Sequence, residues 1–132
     1  MHEGGEYNME KNQKKNNVSI TEEKIKSLKR TKIYKEIKKD LLDQLERNGI
    51  YGKQFKDLVE DYMSLWIVKN LLIEDINIRG VSVVYNHGGG QSGYKKNDSV
   101  AELNKTNAQM LKLLNELGIK ATVVDSGDDD DL

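Results

Sequence analysis

Apolar residues recur at spacings of three and four over residues 53–78, which predicts one long helix. A helix with a single buried face shows an apolar stripe about 100° wide, whereas between Tyr62 and Ile73 apolar residues surround most of the helix. In so small a protein, we expect the flanking helices to cover part of this surface and a second copy of the chain to cover the rest. The residues predicted to form this oligomer interface are Tyr62, Met63, Leu65, Trp66, Val68, Leu72 and Ile73.

Two helical segments precede the long helix. Residues 32–47 carry apolar side chains at helical spacing, and these are Ile33, Ile37, Leu41, Leu42 and Leu45. Thr21 is suited to cap an earlier helix because two glutamates follow it in the first turn, and a break is indicated near Arg30. The connector 48–52 is short and contains two glycines. We therefore expect helix 32–47 and the long helix to form an antiparallel helical hairpin.

After Gly80 the pattern changes from helix to strand. Residues 81–85 are β-branched and aromatic, and residues 86–90 are rich in glycine. Residues 91–95 are suited to return as a second strand, so the sequence predicts a short β-hairpin. Because a two-stranded ribbon is marginally stable in water, we expect it to pack on the helices or to pair with a neighbouring subunit.

A last helix is predicted to be capped by Asp98 or Ser99 at its start and to end at Gly118. Its seam positions follow steps of three and four: Val100, Leu103, Asn107, Met110, Leu114 and Leu117. An asparagine in such a seam can fix the register of an oligomer, but a seam this short is more typical of packing within the subunit. The predicted fold class is mainly α, with a helical hairpin, a C-terminal helix and a short β-hairpin between them.

The length of 132 residues fits one domain with tails. Residues 1–20 have almost nothing to bury and are predicted to be a disordered N-terminal arm. Residues 21–119 are predicted to form the helical domain, and residues 120–132 an acidic flexible tail.

The chain contains no cysteine, which excludes disulfides and thiolate zinc sites and favours a cytoplasmic protein. Its first residues lack the basic region and apolar run of a secretory signal. The most apolar run is flanked by acidic residues and interrupted by polar ones, so we expect no membrane span.

Charge is distributed unevenly along the chain although the net charge is only −1. Residues 11–39 contain eleven basic and three acidic side chains, a net charge of +8, while five of the last eight residues are aspartates. Such a basic segment neutralises DNA phosphates in some proteins and is a solvated helix face in others, and charge alone does not separate these two interpretations. The candidate phosphate contacts are Lys24, Lys26, Lys29, Arg30, Lys32, Lys35, Lys38 and Lys39.

Residues suited to catalysis are scarce. His2 and His87 are the two histidines, and we interpret both as solvated rather than as bases or metal ligands. The glycines at 88–90 lack the lysine and hydroxyl residue that follow a phosphate-binding loop, so they fit a turn better. We expect no enzyme activity, no cofactor and no metal.

Three segments resemble the small subunit of tailed-phage terminases. They are residues 58–66 (LVEDYMSLW), 93–103 (GYKKNDSVAEL) and 109–118 (QMLKLLNELG), and the resemblance covers residues 26–119. The chain departs from the family pattern near residues 97–99 and 120–121, where many relatives have prolines. The resemblance implies a homo-oligomeric ring that binds the packaging site on double-stranded viral DNA and regulates a large subunit carrying the ATPase and nuclease.

The resemblance assigns roles to the parts. It implies that residues 21–119 form an oligomerisation and DNA-recognition domain whose basic segment contacts DNA. It also implies that the protein acts in the cytoplasm of the bacterial host of a phage or prophage. The expected contact with the large subunit is the end of the tail, Asp128, Asp129, Asp130, Asp131 and Leu132. The alternative is a non-catalytic helical scaffold or interaction protein that does not bind DNA.

Overall fold

The structure is a computed structural model that describes residues 21–119. The predicted N-terminal arm, residues 1–20, and the predicted acidic tail, residues 120–132, lie outside the described residues. The chain divides between Asp40 and Leu41 into two compact units, each of which is described by itself.

The first unit contains helix α1, described over residues 21–29, and the beginning of helix α2, which spans Lys32–Arg47. Thr31 separates the two helices. Its hydroxyl donates a hydrogen bond to the Leu28 carbonyl (2.7 Å) and accepts one from the Tyr34 amide (3.3 Å). This is N-cap geometry, so the break indicated near Arg30 is confirmed and Thr31 begins α2.

In the second unit, the C-terminal ends of α2 and of the last helix, α4 (Asp98–Glu116), have the same geometry. At α2 the Ile50 amide donates to the Leu45 carbonyl, and at α4 the Ile119 amide donates to the Leu114 carbonyl. The residue before each isoleucine is a glycine with φ of +69°. Both ends are Schellman motifs, which use glycine because other residues rarely adopt this conformation.

The long helix α3 spans Lys53–Arg79 and packs along α4. The two helices are antiparallel, because Asp75 lies beside Ser99 at one end, while Tyr62 lines a groove with Leu114 toward the other. The buried residues of this pair are Val59, Met63, Trp66, Ile67, Thr106, Met110 and, just after α4, Leu117. The predicted packing of the α4 seam within the chain is therefore confirmed.

The predicted hairpin of α2 with α3 is wrong, because extensive helix packing joins α3 to α4 and not α2 to α3. The reason is the direction of the apolar faces. Buried residues on α3 recur at Val59, Met63, Trp66 and Ile67, and this face is matched by the seam of α4. Proximity in sequence favoured α2 as the packing partner of α3, whereas the longer matched apolar face favoured α4 as that partner.

Between α3 and α4, strand β1 (Ser82–His87) pairs antiparallel with β2 (Gln91–Lys96). The predicted β-hairpin is thus confirmed. Tyr85 lies opposite Gly93, and its ring lies so close that a Cβ added to Gly93 would be 3.1 Å from it. The glycine therefore makes room for the tyrosine ring across the ribbon.

Within residues 21–119 the fold is mainly helical, with four helices and one two-stranded sheet, as the sequence predicts. Among these residues, none of the helices combines the length and the apolarity that a membrane span requires.

Candidate functional site

The eight predicted phosphate contacts all lie in the first unit. Lys24, Lys26 and Lys29 are on α1, and Arg30 follows that helix directly. Lys32, Lys35, Lys38 and Lys39 are on the first two turns of α2. Lys38 is half-buried and the other seven are exposed to solvent. The unit therefore presents cations to solvent on both helices and at the turn between them.

On α2 the exposed lysines form one face. Lys32, Lys35 and Lys39 are separated by three and four residues, so they lie on the same side of the helix. Lys32 is 90% exposed and its Nζ lies 3.6 Å from the Glu36 carboxylate. This solvent-exposed pair is weak, because water and salt screen it, and it leaves Lys32 accessible to another anion.

The charge separation of the sequence is retained in the described fold. Residues 21–40 contain eight basic and four acidic side chains, a net charge of +4, whereas residues 41–119 contain nine and ten, a net charge of −1. The positive potential is therefore concentrated on the first unit, and a polyanion would be attracted there first.

The predicted oligomer interface separates into two sets. Met63 and Trp66 are buried within the chain, and Met63 is fully buried. Val68 is 42% exposed, and the remaining four predicted residues are half-buried: Tyr62, Leu65, Leu72 and Ile73. Burial raises the pKa of the Tyr62 hydroxyl, so this residue stays neutral in any contact it makes. The surface left for a second copy is narrower than the sequence pattern indicates.

A polar cluster that the sequence analysis missed joins α3, the β-ribbon and α4. Arg79 donates two hydrogen bonds to the Asp75 carboxylate, from Nε at 2.6 Å and from Nη2 at 2.7 Å. Ser99 Oγ donates to the same carboxylate at 2.6 Å. The Asp75 and Arg79 spacing of four residues was the available sequence signal, but it is also typical of an isolated surface pair.

Asn97 is the centre of this cluster and is only 1% exposed. Its Oδ1 accepts hydrogen bonds from the Ser99 amide and from Arg79 Nη2, both at 3.0 Å. Its Nδ2 donates to Asp75 Oδ2 at 3.1 Å and to the Gly80 carbonyl at 2.9 Å. Asn97 is therefore the N-cap of α4, which corrects the prediction that Asp98 or Ser99 caps this helix.

These contacts hold the pKa of the Asp75 carboxyl well below its usual range. The hydrogen bonds from Arg79 contribute most, followed by the one from Ser99, and both outweigh the opposing effect of desolvation. The same pairing raises the pKa of Arg79. The cluster is thus a charge-assisted network that stabilises the ionised carboxylate.

The depressed pKa of Asp75 predicts a pH-dependent stability. A carboxyl whose pKa is lower in the folded state stabilises the fold above its unfolded pKa, about 3.9, and loses that contribution as the pH falls below it. We expect Asp75→Asn to be less stable than the wild-type chain at pH 7, with the difference shrinking from pH 4 to pH 2. Urea unfolding at several pH values measures this. A difference that stays constant over that range would contradict the role given to Asp75.

Asp57→Asn is a suitable control, because Asp57 is an exposed carboxylate on the same helix. Its replacement is expected to change the free energy of unfolding, measured by urea, by less than about 0.5 kcal/mol at every pH.

The described residues contain no group of three or more histidine, aspartate or glutamate side chains that could hold a metal ion. The predicted large-subunit contact, Asp128 to Leu132, lies outside the described residues, as does His2.

Comparison with known proteins identifies the family. The model of the family described as "Phage terminase, small subunit" matches residues 32–122. This match includes Lys32, Lys35, Lys38 and Lys39 of the basic segment, all of α3 and α4, and the polar cluster. No curated protein and no solved structure matches the chain. Since the match covers more than half of the 132 residues, the chain belongs to the phage terminase small subunit family.

Proposed function

We propose that this protein is the DNA-recognition and regulatory subunit of a phage terminase, which binds the packaging site on double-stranded viral DNA and regulates the large ATPase and nuclease subunit. Family membership supports a role in phage DNA packaging. In this role the chain itself is not a catalyst and acts in the cytoplasm of the bacterial host. The alternative is a helical scaffold without DNA binding.

The observation that carries DNA binding is the exposed basic face of the first unit. Seven of its eight cations are exposed, and three lie on one side of α2. Each lysine or arginine that neutralises a phosphate releases counterions from DNA, so the affinity falls linearly with salt on a logarithmic scale. Lysine and arginine side chains bind phosphates whatever the base sequence, so we expect phosphate contacts to dominate the affinity.

A titration of duplex DNA at increasing salt separates the two candidates. With four to eight phosphates neutralised, log K is expected to fall against log salt with a slope of about −4 to −7. Fluorescence anisotropy of a labelled duplex measures it. A chain that shows no binding at 50 mM salt, or binding without salt dependence, is the scaffold and not the DNA-recognition subunit.

We further propose that the exposed side of residues 62–73 joins subunits into a ring. Support comes from Val68, an apolar side chain that is 42% exposed near the middle of α3, and from the half-buried neighbours of the predicted interface. A ring would present several basic units to one DNA, and the tethered contacts would then bind more tightly together than each does alone.

Val68→Asp tests this interface. We expect a shift from oligomer to monomer at micromolar concentration, because the substitution places a charge in an apolar contact. Native mass spectrometry measures the change. Ile78→Asp is the matched control, since Ile78 is 72% exposed on the same helix outside residues 62–73, and it is expected to leave the oligomer intact. A wild-type chain that is monomeric, or equal behaviour of both variants, would exclude this interface.

For the large subunit, the proposed contact is Asp128, Asp129, Asp130, Asp131 and Leu132. The charge of this segment supports an electrostatic contact, and it lies beyond the residues matched by the family. Co-purification of the large subunit with a chain ending at Gly127 measures the contribution of these residues.

A further inference from the structure

The β-ribbon has one face on which every residue is exposed to solvent. Val84 lies opposite Tyr94 in the hairpin register, so their side chains are on the same face. On the opposite face, Tyr85 and Gly93 are half-buried. The residues of the exposed face, which we call the open face, are Ser82, Val84, Asn86, Ser92, Tyr94 and Lys96.

The middle of the open face is apolar. Tyr94 is 80% exposed and Val84 is 64% exposed, and serine, asparagine and lysine flank this pair. Ile78 at the end of α3 and Val81 before β1 are 72% and 65% exposed, so further apolar surface lies where the ribbon joins the helix. An apolar centre with a polar rim is the arrangement of protein–protein interfaces, and tyrosine is frequent among the residues that dominate their binding energy.

The base of the ribbon is fixed to the helices. The Asn97 amide donates a hydrogen bond to the Val81 carbonyl at 2.8 Å, and the Asn97 side chain donates to the Gly80 carbonyl at 2.9 Å. Both bonds join the end of β2 to the place where the chain leaves α3. The open face is therefore held in position before a partner arrives, which reduces the entropy lost on binding.

Charge indicates the kind of partner that fits the open face. Residues 80–97 contain Lys95, Lys96 and no acidic residue, a net charge of +2, although residues 41–119 together have a net charge of −1. Pairing of two ribbons from different copies would bring like charges together, which opposes it. Duplex DNA is also disfavoured, because phosphates bind cations and polar groups and the centre of this face is apolar. The complementary partner is a protein segment that carries both apolar and acidic side chains.

We propose that the open face binds an acidic segment of the terminase large subunit that also carries apolar side chains. This inference rests on the proposed function, which makes the large subunit a partner of this chain. The apolar side chains of that segment pack on Val84 and Tyr94, and its carboxylates lie near Lys96. None of the open-face residues belongs to the basic face proposed for DNA or to the interface proposed within residues 62–73.

Replacing Val84 and Tyr94 together with threonine tests the apolar contact. Threonine is favoured in strands and both side chains are exposed, so we expect the ribbon to form without its apolar centre. The dissociation constant for the purified large subunit, measured by biolayer interferometry without DNA, is expected to rise about tenfold or more. Tyr51→Thr is the matched control, since Tyr51 is a 75% exposed tyrosine of the same unit, and we expect it to leave the dissociation constant unchanged.

Lys96→Glu tests the charge independently of the apolar pair. We expect it to weaken large-subunit binding about fivefold at about 50 mM salt and less at about 500 mM salt, because salt screens exposed charges. Lys112→Glu is the control, since Lys112 is an exposed lysine on α4. Equal losses in the two variants would overturn the placement of the partner's carboxylates near Lys96.

The outcomes separate this inference from the proposed function. Weaker large-subunit binding by the double-threonine variant, with the Tyr51→Thr control unchanged, supports the inference. Binding equal to that of the wild-type chain overturns the inference alone, whereas a wild-type chain that does not bind the large subunit overturns the regulatory function as well. If the double-threonine variant instead loses DNA binding in the anisotropy assay, or its oligomer in native mass spectrometry, the open face contacts DNA or a second copy, and the inference is overturned.

Discussion

Replacing Asn97 with alanine is expected to lower the free energy of unfolding by about 2–4 kcal/mol. The side chain is 1% exposed and its four hydrogen bonds join Asp75, Arg79, Gly80 and Ser99. Removal of the N-cap alone costs about 1 kcal/mol, and the buried groups that lose a partner add the remainder. Urea unfolding followed by circular dichroism at 222 nm measures the loss.

The control for this experiment is Asn104→Ala. Asn104 is exposed on the same helix, so its replacement is expected to change the stability by less than about 0.5 kcal/mol. If Asn97→Ala were as mild as this control, the polar cluster would be a surface feature and would not fix α4 and the ribbon to α3. The expected loss would also appear as faster hydrogen exchange at the base of the ribbon, where the Asn97 amide donates to the Val81 carbonyl at 2.8 Å.

The largest expected effect on binding comes from the basic face. Changing Lys29, Arg30, Lys32 and Lys35 together to glutamine is expected to weaken duplex DNA binding by on the order of 100-fold at 0.15 M salt. The slope of log K against log salt should become less steep by up to about 3.6, because each neutralised phosphate contributes about 0.9. Fluorescence anisotropy at several salt concentrations gives both quantities.

A control variant that loses the same number of positive charges separates the effect of contacts made by the basic face from the effect of net charge. The four lysines of this control lie in the second unit, and they are Lys95, Lys96, Lys105 and Lys112. All four are exposed, so their replacement by glutamine is expected to leave the fold intact. The slope should change much less than in the basic-face variant. Equal effects in the two variants would mean that the net charge, and not the first unit, determines the affinity.

Some of the cations of the basic face lie outside the region that the family model matches. Lys29 and Arg30 precede the match, whereas Lys32 and Lys35 lie within it. Comparing the two pairs separately would therefore show whether the DNA contact belongs to the part shared with the family or to the residues before it. We expect both pairs to contribute, because Thr31 places the end of α1 directly against the start of α2.

The long helix shows what the spacing of apolar residues can predict and what it cannot. Its apolar spacing predicted the helix and its end at Gly80, and the structure has α3 over Lys53–Arg79. It also indicated excess apolar surface, but it treated Met63 and Val68 alike. Met63 is fully buried within the chain and Val68 is 42% exposed. Periodicity reports which residues are apolar, whereas only the position of α4 decides which of them are covered.

The missed polar cluster has a similar explanation. Asp75 and Arg79 are one helical turn apart and were visible as a pair, but Asn97 and Ser99 are more than 15 residues away in sequence. The four side chains come together because the β-ribbon returns the chain to the end of α3, where Asn97 donates to the Gly80 carbonyl. A network assembled by chain reversal has no local spacing from which to predict it.

By itself, the sequence determined the local elements: the four helices, the β-hairpin, the break before α2 and the concentration of positive charge before Asp40. These follow from side-chain periodicity, glycine positions and charge, which act over a few residues. The tertiary structure alone decided that α3 pairs with α4, that Asn97 is buried among charged partners, and that the end of α4 lies near Ile50. Those features depend on which apolar faces meet, and that choice is made by the whole buried surface and not by any single segment.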